Sequence, residues 1–321
     1  MQLSRRFLFA FAAGAVLTGG VQAQAWPSKP VRLIVPFPAG GGTDLITREV
    51  ANKLTDSGYR FVVDNKPGSG GNLGVDAAAK SPADGYTLVM GQTSNLAINP
   101  TLYSKLPYDP VKDLAPVSLV ASAPLVIVVG ADSPYKSLAD IVSGARAKPG
   151  SINYATSGNG TVAHLAAESF QRTADVKLTH VPYKGAAQGA TDVMSGQVQL
   201  YVSSIPTLLG HIKSGKMRPI AVTSSKRVDD LPQVPTIAET YKGFEAVTWF
   251  GILGPANLPK DVVAKLNADI NKVLRDPGVQ KKLSDQGADV AGSSPEDFAK
   301  LIRDDIARWG QIVKESGAKV D

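Results

Sequence analysis

From residue 26 onward, short apolar runs alternate with stretches whose apolar positions recur every three or four residues. Residues 31–36 (VRLIVP) read as a buried strand and 45–54 as an amphipathic helix. A strand at 60–63, a short helix at 75–80 and a strand at 86–90 follow. The run 125–129 (LVIVV) is another strand, and Ser137 can cap a helix reaching about Lys148. Beyond it the pattern predicts strands at 152–155, 177–181, 199–202, 220–223 and 249–253, with helices at 162–172 and 187–195 between the first of them. Helices over 259–274, 277–286 and 295–315 finish the chain. This rhythm is that of an α/β fold.

The strand–helix rhythm starts twice, at Val31 and at Ile152, each time as strand, glycine-rich turn and helix. The last three helices have no strands of their own and pack most simply on the first unit. The middle then forms an inserted second domain, with chain crossings near 125–129 and 247–253. A length of 321 residues suits two domains.

Residues 1–25 stand apart from this pattern. Arg5-Arg6 precedes an apolar run over 7–17, and Ala23-Gln24-Ala25 follows, which is the layout of a secretory leader cut near Ala25. Eleven apolar residues fall short of the roughly 20 that span a bilayer. Ser4-Arg5-Arg6 also fits a twin-arginine start, so both export routes stay open. The mature chain, from Trp26, is expected in the periplasm.

Composition removes several function classes. Hydrophobic residues make up 43% and charged residues 19% of the chain, a globular balance. Lys and Arg number 34 against 28 Asp and Glu; without Arg5 and Arg6 the excess is about +4, spread along the chain rather than in the basic stripe that nucleic acid requires. There is no cysteine, hence no disulfide, thiolate metal site or thiol nucleophile. The three histidines, His164, His180 and His211, show no metal-binding spacing, so neither a metal nor a cofactor is expected.

The chemistry concentrates in the glycine turns. Pro36-Phe37-Pro38-Ala39-Gly40-Gly41-Gly42-Thr43-Asp44 follows a strand and opens a helix, where unpaired N–H groups and the helix dipole favour an anion. A plain strand-to-helix turn, capped by Thr43 or Asp44, would look similar. The second turn, Thr156-Ser157-Gly158-Asn159-Gly160-Thr161, adds neutral hydroxyl and amide groups ahead of His164. Its Gly158-x-Gly160-x-x-Ala163 spacing fits a dinucleotide fingerprint. The ribose-binding acid that should end the next strand is absent, because that strand ends at Thr179-His180. Two neutral anion cradles, one per unit, suggest a pincer on a small acid. Residues 66–74 and 91–95 could floor the same cleft or be ordinary loops. Catalysis finds little footing. Ser157 lacks the G-x-S-x-G elbow, no acid is placed to orient His164, and Asp44 has no carboxylate partner.

The ordered motifs resemble one family throughout the mature chain. They include Trp26-Pro27-x-Lys29-Pro30-Val31, the P-F-x-A-G-G-x-x-D core ending at Asp44, and Asn65-Lys66-Pro67-Gly68 with Gly70-Gly71-Asn72. Asp84-Gly85-Tyr86-Thr87-Leu88, Leu106-Pro107-Tyr108-Asp109-Pro110, His180-Val181-Pro182-Tyr183-Lys184-Gly185 and Pro235-Thr236-Ile237-Ala238-Glu239 follow. The chain resembles the substrate-binding proteins of tripartite tricarboxylate transporters, the Bug receptors.

That resemblance implies a two-lobe, type II periplasmic-binding-protein fold hinged on two crossing strands. Lobe 1 would comprise 26–124 and 250–321, and lobe 2 would comprise 125–249. It implies a small carboxylate as ligand, delivery to large and small membrane subunits (TctA/TctB-like), and a monomer. The implied binding set is Phe37, Ala39, Gly40, Gly41, Asp44, Gly71, Asn72, Thr93 and Ser94 from lobe 1. Lobe 2 would add Thr156, Ser157, Gly158, Asn159, Thr161, His164, Lys184 and Ser203. Amino-acid-binding members tend to carry an Asp where this chain has Ser203-Ser204, which implies a ligand without an ammonium at that end. A periplasmic enzyme using Ser157 and His164, or a sensor serving a membrane kinase, are the competing readings.

Overall fold

The computed structural model describes residues 26–318 and 320; the expected leader lies outside them. In chain order the strands are β1 (Val31–Val35), β2 (Phe61–Asn65), β3 (Thr87–Gln92), β4 (Leu114–Gly130), β5 (Asn153–Thr156), β6 (Thr179–Pro182), β7 (Leu200–Ser204), β8 (Met217–Val222), β9 (Val247–Pro255) and β10 (Asp289–Val290). The helices are α1 (Gly42–Leu54), α2 (Asn72–Ala79), α3 (Asn99–Leu102), α4 (Leu138–Ala147), α5 (Val162–Ala174), α6 (Ala186–Met194), α7 (Ile205–Lys213), α8 (Lys260–Leu274), α9 (Pro277–Ser284) and α10 (Pro295–Ser316).

One strand belongs to both halves. The first part of β4 pairs antiparallel with β9, from Leu114↔Pro255 to Pro124↔Val247, and with β10. From Leu125 onward it pairs instead with β7 and β8. The first sheet continues from β9 to β3, β1 and β2, the last three mutually parallel. The second continues from β7 to β5 and β6, again parallel. The inner strands β1, β3, β5 and β7 are largely buried between helices, whereas β2 and β6 are edges without a buried residue.

The sequence reading did not foresee every element, the short α3 and β10 among them. The first half of β4 was not predicted, and neither was α7. The strand bears Pro116 and Pro124 and takes up two register shifts, between Pro116 and Ser118 and between Leu119 and Ala121. Proline has no N–H to give a ladder, and bulges accommodate that loss. Helix α7 carries Pro206 in its first turn, where a missing N–H costs nothing.

The halves meet at Thr223, just past β8. Its Oγ1 accepts the Leu125 N–H at 2.8 Å and donates to the Ala246 carbonyl at 2.5 Å. Backbone bonds run from Thr223 N–H to Leu125 O and from Ala246 N–H to Thr223 O. Both crossings are thus tied to one buried side chain. The C-terminal helix α10 packs Phe298, Ile302, Trp309 and Val313 into the core. Its buried Asp305 accepts the indole N–H of Trp249 at 2.6 Å.

Candidate ligand-binding site

The turn from β1 into α1 is held by Asp44. This buried carboxylate accepts the Gly40 N–H at 2.9 Å, the Asn65 amide at 2.9 Å and the Arg48 Nε at 2.9 Å. The same Asn65 nitrogen donates to the Phe37 carbonyl at 3.0 Å, fixing the loop from its other end. Burial pushes the Asp44 pKa up, but the bonds from Arg48, Gly40 and Asn65 outweigh it, so the carboxyl sits below its ordinary value. Asp44 is committed to shaping the loop.

The turn from β5 into α5 is shaped by threonines and histidines. Thr161 caps α5, accepting the His164 N–H at 3.3 Å and donating to the Gly158 carbonyl at 2.9 Å. His164 is buried behind the loop, where its Nδ1 faces the Gly160 N–H at 3.4 Å. Its ring stacks on His180 with centroids 4.2 Å apart, and His180 stacks in turn on Tyr154. Thr156 Oγ1 lies 2.7 Å from His180 Nε2. Burial, and then the neighbouring His164, pulls the His180 pKa down to about 3; burial lowers His164 too, against the pull of Glu168. Both rings are therefore neutral at physiological pH.

Between the lobes lies a small cavity of about 50 Å³. Four helices begin at its wall: α1 with Gly41 and Gly42, α5 with Thr161 and Val162, α6 with Gly185 and Ala186, and α7 with Ser204 and Thr207. Each start presents N–H groups that have no partner within the helix, and about half a positive charge. Gln92, Ser94, Ser157, Ser203 and Thr248 add hydroxyls and one amide, while Phe37, Pro38 and Leu125 supply apolar wall. Among the described residues no charged side chain lines this cavity. The set stabilises negative charge while placing no fixed counter-ion.

Hydroxyls already bridge the lobes here. The Val162 N–H donates to Ser94 Oγ at 3.1 Å, and the Gly42 N–H to Thr207 Oγ1 at 3.0 Å. Outside the cleft, Arg172 of α5 pairs with Glu315 of α10 at 2.5 Å.

Of the residues expected from sequence, Phe37, Gly41, Ser94, Ser157, Thr161 and Ser203 line this cavity. Gly71, Gly158, Asn159 and Lys184 line an adjoining outer one. Ala39 and Gly40 are exposed on the turn and line neither. Asp44, Asn72, Thr93, Thr156 and His164 are buried behind the walls. Asn72 accepts from Asn99 and Tyr108, and Thr93 accepts the Trp249 N–H at 2.9 Å. The expected binding set left out Gly42 and Gln92, although both lie in stretches already marked for the cleft, and Gly185, Ser204, Thr207 and Thr248 were missed. Gly42 lay in plain view inside the triple glycine, and Ser204-Ile205-Pro206 is a helix-start signal that goes unread without α7.

Among the described residues no group of three or more His, Asp or Glu side chains is placed to hold a metal ion. No helix among them is long and apolar enough to cross a membrane.

Comparison with known proteins agrees with this architecture. Residues 46–318 match the family described as "Tripartite tricarboxylate transporter family receptor". The chain is 38% identical over 313 residues to Protein BugT of Bordetella pertussis, covering 97% of this chain and 96% of that one. Among solved structures it resembles Rpa4515 of R. palustris, determined with adipate, at a TM-score of 0.89 and 37% identity over 92% of this chain and all of that one. MatC of Rhodopseudomonas palustris, with bound malate, gives a TM-score of 0.84 at 30% identity over 90% of this chain and 100% of that one. The fold is the two-lobe periplasmic-binding-protein architecture expected from sequence. The chain belongs to the tripartite tricarboxylate transporter receptor family, whose members are solute-binding receptors.

Proposed function

We propose that this receptor captures a small carboxylate between its lobes in the periplasm and presents it to the membrane subunits of a tripartite transporter. One observation carries the ligand class: four helix N-termini and a ring of hydroxyls meet at a cavity that no charged side chain among the described residues lines. A carboxylate there gains charge-assisted hydrogen bonds. An ammonium would face four positive helix ends with no carboxylate to compensate. The adipate and malate held by the two relatives are consistent with this class. The chain acts after removal of residues 1–25, as a monomer whose lobes are 26–124 with 250–321 and 125–249. It performs no chemistry on its ligand: Ser157 reaches the cavity, whereas His164 is turned onto His180 behind it.

The test is a thermal-shift screen of residues 26–321, unfolded and refolded to strip carried ligand, against small acids and their amides. An acid at 100 times its Kd should add about 2.7 kcal/mol, a shift of several degrees. The amide should add nothing. If no acid shifts the midpoint, or amides do so equally, the carboxylate reading is wrong.

A further inference from the structure

Beyond the uncharged cavity lies the larger outer one, of about 570 Å³. The two adjoin at Phe37, Pro38 and Ser157, which line both. Residues 68–71 of the first lobe wall the outer cavity on one side, and Asn159 and 182–184 of the second lobe wall the other. Among the described residues its lining contains a single charged side chain, Lys184, and no acid.

Several contacts fix where Lys184 stands. The preceding residue, Tyr183, donates its N–H to the Thr156 carbonyl at 3.0 Å, which carries the β5–β6 pairing one residue further. The Tyr183 hydroxyl is committed to Asp192 at 2.6 Å and, with its pKa pushed up to about 12 by burial and that partner, stays neutral. The following residue, Gly185, lies so close to the first lobe that a Cβ there would stand 2.9 Å from Pro38 Cγ. Lys184 is thus held between a strand end and a lobe-to-lobe contact. Its ammonium has no carboxylate partner among the described residues.

We infer that Lys184 is a specificity-determining residue: it selects solutes that carry a second anionic group, reaching past Phe37 and Ser157 into the outer cavity. The inference rests on the carboxylate reading above and deepens it. The first carboxylate sits at the helix starts, the solute's apolar middle passes Phe37 and Pro38, and the far anion meets the ammonium. A monoacid of the same length ends in a methyl group there and gains nothing from the lysine. The site therefore sorts acids by what stands at their second end.

The experiment is calorimetric titration of the refolded mature receptor with hexanedioate, octanedioate and hexanoate, on wild type, K184Q and K184R. Melting curves of the unliganded variants confirm their fold, which an exposed side chain should not disturb. K184Q should weaken the tighter diacid by about fivefold, the upper scale for an ion pair with an exposed side chain. K184R should stay within about threefold of wild type and hexanoate within about twofold for all three proteins, steps of well under 1 kcal/mol. The diacid's affinity should also lose part of its salt dependence in K184Q. The inference is overturned if K184Q leaves the diacid unchanged, if it weakens hexanoate equally, or if wild type binds hexanoate but no diacid. Failure of wild type to bind any of the acids, or any acid in the thermal screen, instead overturns the carboxylate reading itself.

Discussion

The backbone N–H of Gly42, the first residue of α1, donates across the cleft to Oγ1 of Thr207 in α7, at 3.0 Å. Thr207 Oγ1 is 3.0 Å from Ser204 Oγ, so two hydroxyls of one lobe meet a helix start of the other. A Cβ on Gly42 would stand 2.8 Å from Ser204 Oγ and 3.3 Å from Pro206 Cβ, atoms that belong wholly to the opposite lobe. Gly42→Ala should therefore keep the lobes apart without harming either. Ligand affinity should fall at least about tenfold, or 1.4 kcal/mol, while the unliganded midpoint changes little. Calorimetric titration beside a melting curve reads both, and unchanged affinity would show that this contact is dispensable for binding.

Gly210 offers the matched control. It is exposed within α7, and a Cβ there meets nothing within 4 Å. Alanine at such a helix position should stabilise by about 0.5–1 kcal/mol through propensity alone. Denaturant midpoints should rise in Gly210→Ala with affinity unchanged.

The stacked histidines give a pH dependence. His180 has a folded pKa of about 3, below the ordinary histidine value of 6.5, so the unfolded chain binds more protons between these limits. Stability is then complete above about pH 6.5 and declines as the pH falls toward 3, at up to about 1.4 kcal/mol per pH unit for this group. His164, also lowered, acts in the same direction. Glu168 and Tyr154 are the other titratable groups against the pair, with the Tyr154 hydroxyl donating to Glu168 at 2.5 Å. Asp44 and Glu239, whose pKa values are lowered, contribute only at more acid pH. Between pH 6.5 and 4.5 the melting temperature of wild type should fall more steeply than that of His180→Gln. Parallel curves would exclude the pair as the cause.

Thr223 can be tested by isosteric replacement. Valine would remove the hydroxyl that serves the Leu125 N–H and the Ala246 carbonyl in a buried setting. Thr223→Val should cost about 1–3 kcal/mol in urea unfolding. Serine keeps the hydroxyl and should recover most of it.

The parallel strands and the two glycine turns were legible in the sequence because each couples an apolar run to a chain reversal that needs glycine. What escaped was non-local. Residues 114–124 (LAPVSLVASAP) carry two prolines and small side chains, and only β9 alongside makes them a strand. Nine residues, IPTLLGHIK, give too few turns to display helical period, so α7 and its cleft hydroxyls stayed hidden. His164 sits on the helix that opens at the cavity, and only its stacking on His180, sixteen positions along on β6, turns it away from the ligand side. Asp44 was equally ambiguous until Asn65 and Arg48 were seen to face it.

The exchange of β4 between sheets at Pro124 and Leu125 bears on how such a receptor can be taken apart. Pro124 and Val247 are antiparallel neighbours, and the pairs Ala123↔Thr248 and Ser122↔Trp249 continue the ladder behind them. Facing residues in such a ladder lie about 5 Å apart, a gap that a two-residue turn closes. The intervening 122 residues leave and return through one doorway. Excising them and joining Pro124 to Val247 through Asn-Gly would turn the crossing strands into an ordinary hairpin, with every other pairing of the first sheet untouched. The strand exchange thus suits a host domain carrying a removable guest, and a half-receptor of this kind would present a single jaw of the cleft to solution.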